Sequence, residues 1–157
     1  MRKSLFGYRR ARRKNAGQVR KTVRRCKVGT FYVSCVVSSH TDRAKATRIP
    51  KILVDTGSEY TWISGPVLRK IGIQAEKKDV SFVMANGKTI TRRVGFAIVR
   101  VEGIITTDEI VFAEEGDLQL LGARSLEGLN LRFDPVSKLL VDAGPVPAAA
   151  VSLAMAS

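Results

Sequence analysis

Histidine is nearly absent from this chain, with His40 alone among 157 residues, and cysteine is scarce, with only Cys26 and Cys35. That set cannot supply the four ligands of a structural zinc site at any usual spacing, and it excludes a disulfide scaffold. No metal and no cofactor is expected. Cys35 stands in an apolar run, where a free cysteine behaves as a small buried hydrophobe. His40 lies in a polar loop with no orienting signal in the sequence, so a Cys–His nucleophile has no support. Long apolar runs are lacking too. None approaches the roughly 20 residues of a membrane helix, and none follows the basic N-terminus as a secretory signal would. The expectation is a cytoplasmic protein of one domain, because 45% apolar residues in a chain of this length fill one core but not two lobes.

Acidic residues are missing from the first 27 positions, which hold twelve of the 27 Lys and Arg. The remainder carries 15 basic against 14 acidic residues, so the net charge of +13 belongs almost wholly to residues 1–27. This segment reads as a basic tail. It could be an RNA- or membrane-binding arm, an Arg-rich targeting peptide, or solvated sequence outside the native protein, since Val28 can be encoded by a GTG start. A domain over 28–141 and a flexible C-terminal tail over 142–157 complete the expected layout, with the small residues 148–157 fraying.

From Val28 on, periodicity predicts short strands. Thr30–Ser38 is rich in β-branched and aromatic residues, and Ile49–Asp55 follows a polar loop at Ser39–Thr47. Gly65-Pro66 breaks the chain before a single helical turn at Val67–Ile71, which Gly72 stops. Phe82–Ala85 and Lys88–Val94 flank Asn86-Gly87, a pair suited to a two-residue hairpin turn with positive φ angles. Further strands are expected at Phe96–Val101, Ile104–Ala113 and Leu118–Leu121, a short helix at Ser125–Gly128, and a terminal hairpin from Leu129–Phe133 and Leu139–Val141 around Asp134-Pro135. The pattern predicts an all-β domain, a partly closed barrel of about seven strands.

The most informative stretch is Ile52-Leu53-Val54-Asp55-Thr56-Gly57-Ser58, an apolar strand running into an acid, a hydroxyl and a glycine. With the Met84-Ala85-Asn86-Gly87-Lys88 hairpin and Leu120-Leu121-Gly122 after it, the chain resembles the retropepsin-like aspartic proteases over about residues 30–141. The resemblance implies a single-domain closed β-barrel of the acid protease fold with one short C-terminal helix. It implies an aspartic endopeptidase in which Asp55 is catalytic, Thr56, Gly57, Ser58 and Gly122 support the loop, and 84–88 form the flap over a peptide or protein substrate. Tyr60 and Trp62 would line the cleft, Trp62 serving equally well as a core residue. One chain has one such loop, so the resemblance implies a homodimer with Asp55 from each subunit. Thr56 would reach across the two-fold axis, and Gly57 would allow close approach. Ser58 would donate to the Asp55 carboxylate and move the pH optimum towards acid.

Two departures stand out. Ala123 intervenes before Arg124, which is expected to brace the loop by pairing with Glu59, and the chain continues past the family's usual end. Leu140-Val141-Asp142-Ala143-Gly144 echoes the motif, but Ala143 lacks the hydroxyl, Pro145 follows, and no second apolar-apolar-Gly strand remains. The alternatives are a non-catalytic binding or dimerisation module of the same fold, or an RNA-associated protein acting through its tail. The near-neutral body shows no pattern of stacking aromatics on a basic face.

Overall fold

The computed structural model describes residues 30–146. The basic segment 1–27 and the apolar end 148–157 lie outside the described residues, as does Cys26. In chain order the elements are β1 (Tyr32–Ser39), β2 (Ala46–Val54), β3 (Thr61–Ser64), α1 (Gly65–Lys70), β4 (Lys77–Val83), β5 (Thr89–Val101), β6 (Ile104–Ala113), β7 (Leu120–Leu121), α2 (Ala123–Gly128), β8 (Leu131–Asp134) and β9 (Leu139–Asp142). The domain is all-β apart from the two short helices.

Seven strands form one sheet in the order β1-β2-β7-β3-β6-β5-β4, and β1 also pairs with β5. That extra pairing closes β1, β2, β7, β3, β6 and β5 into a ring, with β4 attached outside it. β5 makes both arrangements possible. Its first residues pair with β4, while Ala97–Val101 pair with β1, and its other edge runs along β6. Alternation follows from the pleat: on β1, Cys35, Val37 and Ser39 turn inward. Ile52, Ile63, Leu68, Ile110, Leu121 and Leu129 are fully buried inside the ring. Each such side chain contributes about 1.5–3 kcal/mol on leaving water. Cys35 is 1% exposed, and burial pushes its thiol up to about 12.

Several local expectations are corrected. The expected helical turn and the short C-terminal helix both form, as α1 and α2, each starting two residues earlier than expected. Gly65-Pro66 opens α1 instead of breaking the chain, because a proline in the first helical turn lacks only an N–H that would go unbonded there. Gly72, at φ +77°, stops it as expected. The turn at Asn86-Gly87 is not a two-residue one. The Gly87 N–H bonds the Met84 carbonyl at 2.8 Å, and only Gly87, not Asn86, has positive φ. This is the three-residue loop with a glycine bulge. The two-residue turn with both φ values positive lies instead at Glu102-Gly103, between β5 and β6. Strand β3 was not expected, β4 begins five residues before Phe82, and β7 is only two residues long, with Leu118 exposed. The terminal hairpin forms as β8 and β9, reaching Asp142, and the Asn130 side-chain amide donates to the Gly144 carbonyl at 2.9 Å.

Candidate active site

β2 ends at Val54, the chain turns through 55–60, and β3 leads away from the turn. β7 inserts between the two arms, parallel to β2 through Leu53↔Leu120 and Val54↔Leu121, and antiparallel to β3 through Trp62↔Leu120. The apolar-apolar-Gly strand therefore floors the Asp55 loop. The Asp55 N–H donates to the Leu121 carbonyl at 3.0 Å. Beyond the strand, the Ala123 and Arg124 N–H groups donate to the Ser58 and Glu59 carbonyls at 2.8 and 3.1 Å. Two of the otherwise unbonded N–H groups of α2 are thus satisfied by the loop itself, and the helix starts at Ala123 without a capping side chain. Gly122 makes this contact possible. A Cβ on it would lie 2.3 Å from the Tyr60 carbonyl oxygen, where no atom fits.

Asp55 is half-buried and its Oδ1 accepts the Gly57 N–H at 2.9 Å. A Cβ on Gly57 would stand 3.2 Å from that oxygen. Thr56 is exposed, and its hydroxyl has no hydrogen-bond partner among the described residues. The Ser58 hydroxyl differs from expectation: its single hydrogen goes to the Tyr60 carbonyl at 3.0 Å, not to the Asp55 carboxylate.

Two cavities meet at Asp55. The larger, about 760 Å³, runs between the loop and the hairpin of β4 and β5, and Asp55, Gly57, Ser58, Glu59, Tyr60, Trp62, Met84 and Ala85 all line it. Asn86, Gly87 and Lys88 form the turn but are not among its lining residues. Phe82 of β4 packs edge-on against Trp62 and Tyr60, with ring centroids 4.9 and 5.4 Å apart. Trp62, 7% exposed, is both cavity wall and core. The opposite wall is the turn at 114–118, fixed by Arg92 of β5 through two hydrogen bonds to Asp117 at 2.7 and 3.0 Å. The guanidinium bonds hold the Asp117 carboxyl below its ordinary value. The second cavity, about 390 Å³, lies between Asp55, Thr56 and the β8–β9 hairpin at Phe133, Pro135 and Lys138.

Arg124 lies against the loop. Its guanidinium lies 4.0 Å from Glu59, 3.6 Å from Glu109, and 4.8 Å above the centre of the Tyr60 ring. Glu109 is held in turn by Lys77 at 2.7 Å. Asp142, the motif echo, accepts from the Asn130 amide and the Gly144 N–H and lines neither Asp55 cavity.

Sequence reading missed Thr61, Asp108 and Ser125, a buried polar set behind the loop. Ser125 Oγ donates to Asp108 Oδ2 at 2.6 Å, lies 2.7 Å from Thr61 Oγ1, and the Gly122 N–H donates to Thr61 Oγ1 at 2.9 Å. Burial raises the Asp108 carboxyl above its ordinary value, partly offset by bonds from Ser125 and from the Glu109 N–H. Parity gave a signal, since Asp108 shares the inward face of β6 with Ile110 and Phe112.

No curated protein matches the chain. Among solved structures, the EIAV protease complexed with the inhibitor HBY-793 is similar at 13% identity and a TM-score of 0.49, over 68% of this chain and 94% of that one. The retroviral protease-like domain of Ddi1 from Leishmania major is similar at 15% identity and a TM-score of 0.48, over 74% of this chain and 90% of that one. Residues 45–128, from the start of β2 to the end of α2, match the gag-polyprotein putative aspartyl protease family. This chain, with its Asp55 loop and the strand beneath it inside the matched span, belongs to that retropepsin-like family.

Proposed function

We propose that the protein is an aspartic endopeptidase whose dyad is built from Asp55 of two subunits. The observation that carries this reading is the isolation of Asp55 on a rigidly floored loop. The other acids lining its larger cavity are Glu59, beside Arg124, and Asp117, tied down by Arg92. A second free carboxylate comes most simply from a two-fold axis at Asp55, next to the exposed Thr56.

The chemistry follows from two carboxyls sharing one proton. At about 3 Å both cannot ionise, so one acts as base on a water while the other acts as acid on the peptide carbonyl. The pair titrates as a unit, and activity is confined to the pH window in which one proton is present. A peptide would lie in the 760 Å³ cavity beneath the 84–88 flap, against Trp62, Phe82 and Leu120. The flap would exclude water.

The test is cleavage of a denatured-protein mixture from acid to neutral pH, by wild type and Asp55→Asn, with the mass measured in solution. Cleavage by a wild-type dimer and none by Asp55→Asn is expected. Undiminished cleavage by Asp55→Asn, or an active monomer, would sink the mechanism.

A further inference from the structure

The buried set behind the loop forms one continuous line of hydrogen bonds, and its direction can be worked out from the donors available. An ionised carboxylate only accepts, so the Ser125 hydroxyl spends its one hydrogen on Asp108. Ser125 Oγ must therefore accept from Thr61, 2.7 Å away. Thr61, its own hydrogen spent, accepts the Gly122 N–H at 2.9 Å. That N–H belongs to the same planar peptide unit as the Leu121 carbonyl, which accepts the Asp55 N–H at 3.0 Å. Every donor points the same way, from Asp55 to Asp108. Bonds in series polarise one another, the more so where water is excluded, and Thr61 and Ser125 are both 0% exposed. The negative charge at the far end thus strengthens each link and draws the Leu121 carbonyl and the Asp55 backbone together.

We propose that Asp108 is a positioning residue for Asp55, acting through Ser125, Thr61 and the Leu121–Gly122 peptide. The charged groups facing it are Glu109, whose N–H donates to Asp108 Oδ1 at 2.7 Å, Arg124 beside Glu109 at 3.6 Å, and Lys77 on Glu109. Sequence-adjacent Glu109 opposes the ionised state and Arg124 supports it. The proposal rests on Asp55 being the reacting carboxylate, but its first test does not.

That test is nuclear magnetic resonance on full-length Asp55→Asn, in which the carboxyl next to the observed amide no longer titrates. The amide proton of residue 55 is expected to shift with the same midpoint as the Asp108 side-chain carbon. A residue 55 amide that stays flat while Asp108 titrates overturns the relay, whether or not the protein is a protease. The second test is kinetic. Asp108→Asn keeps an acceptor oxygen but removes the charge, and Thr61→Val removes the link, whereas Thr61→Ser preserves it. For the first two, kcat is expected to fall roughly tenfold with KM held within about twofold, the signature of a displaced reacting group. Thr61→Ser should restore wild-type kcat. Folded dimers of Asp108→Asn and Thr61→Val with wild-type kcat would overturn the assignment, as would a loss of kcat matched by loss of folded dimer. If either variant does not fold, the amide titration decides.

Discussion

Replacing Gly122 by alanine should damage the protein more than its one added carbon suggests. The new Cβ would lie 2.3 Å from the Tyr60 carbonyl oxygen, 2.5 Å from the Tyr60 carbonyl carbon and 2.9 Å from the Glu59 carbonyl oxygen. All three are backbone atoms, so no side-chain rotation relieves the clash, and roughly 1 Å of separation has to come from moving β7 or the loop. Overpacking of this kind costs about 1–3 kcal/mol. Movement also stretches the bonds that straddle the contact: Ala123 N–H to the Ser58 carbonyl, Arg124 N–H to the Glu59 carbonyl and Gly122 N–H to Thr61. Weakening two of these adds about 1–2 kcal/mol, for a total of about 2–5 kcal/mol. For a domain of this size that is a fall in Tm of about 10 °C. The backbone angle contributes nothing, because Gly122 has φ −86°, open to any residue. Thermal unfolding of Gly122→Ala beside wild type measures the loss. Gly103→Ala serves as control, since it has open space around its Cβ but φ +90° and should lose only the backbone cost of about 1–2 kcal/mol. A Tm for Gly122→Ala within two or three degrees of wild type would refute the steric argument.

Two further outcomes follow from the site. Ser58→Ala should leave the pH profile of cleavage unmoved, because the hydroxyl hydrogen is spent on the Tyr60 carbonyl. A shift of the acid limb by half a unit or more would show that Ser58 reaches Asp55 in the working enzyme. Arg92→Gln should cost about 1–3 kcal/mol at pH 7, read from urea midpoints, by removing two charge-assisted bonds to Asp117. Since the folded carboxyl of Asp117 lies below its ordinary 3.8, its contribution is present above that value and lost as pH falls through the lowered one. The gap between wild type and Arg92→Gln should therefore narrow below pH 4, and a gap that widens in acid would contradict the assignment.

The elements that were legible in the sequence are those whose signal is local. β1, β2 and β6 alternate or carry dense β-branched runs, and the loop at Asp55 announces itself by composition. β3 was not legible because Thr61, Trp62 and Ile63 are all buried, so four residues in the middle of the sheet show no alternation at all. β4 opens with Lys77-Lys78-Asp79 and an irregular register, and only its partner β5 makes it a strand. The start of α2 carries no capping residue because the cap is the backbone of a loop more than sixty positions earlier. Separation in sequence also hid the polar set behind the site: Thr61, Asp108 and Ser125 are three ordinary residues until the ring closes around them.

The ring is closed by very little. Without Leu120 and Leu121, β2, β1, β5, β6 and β3 would still pair in that order, but as an open, curled sheet. The seam is two residues wide, and it lies directly under Asp55. Chain order gives this a temporal meaning. As the polypeptide leaves the ribosome, six of the seven strands of this sheet emerge while the Asp55 loop has no floor. The floor arrives only with the last quarter of the described residues, so the Asp55 loop takes its final form late in synthesis.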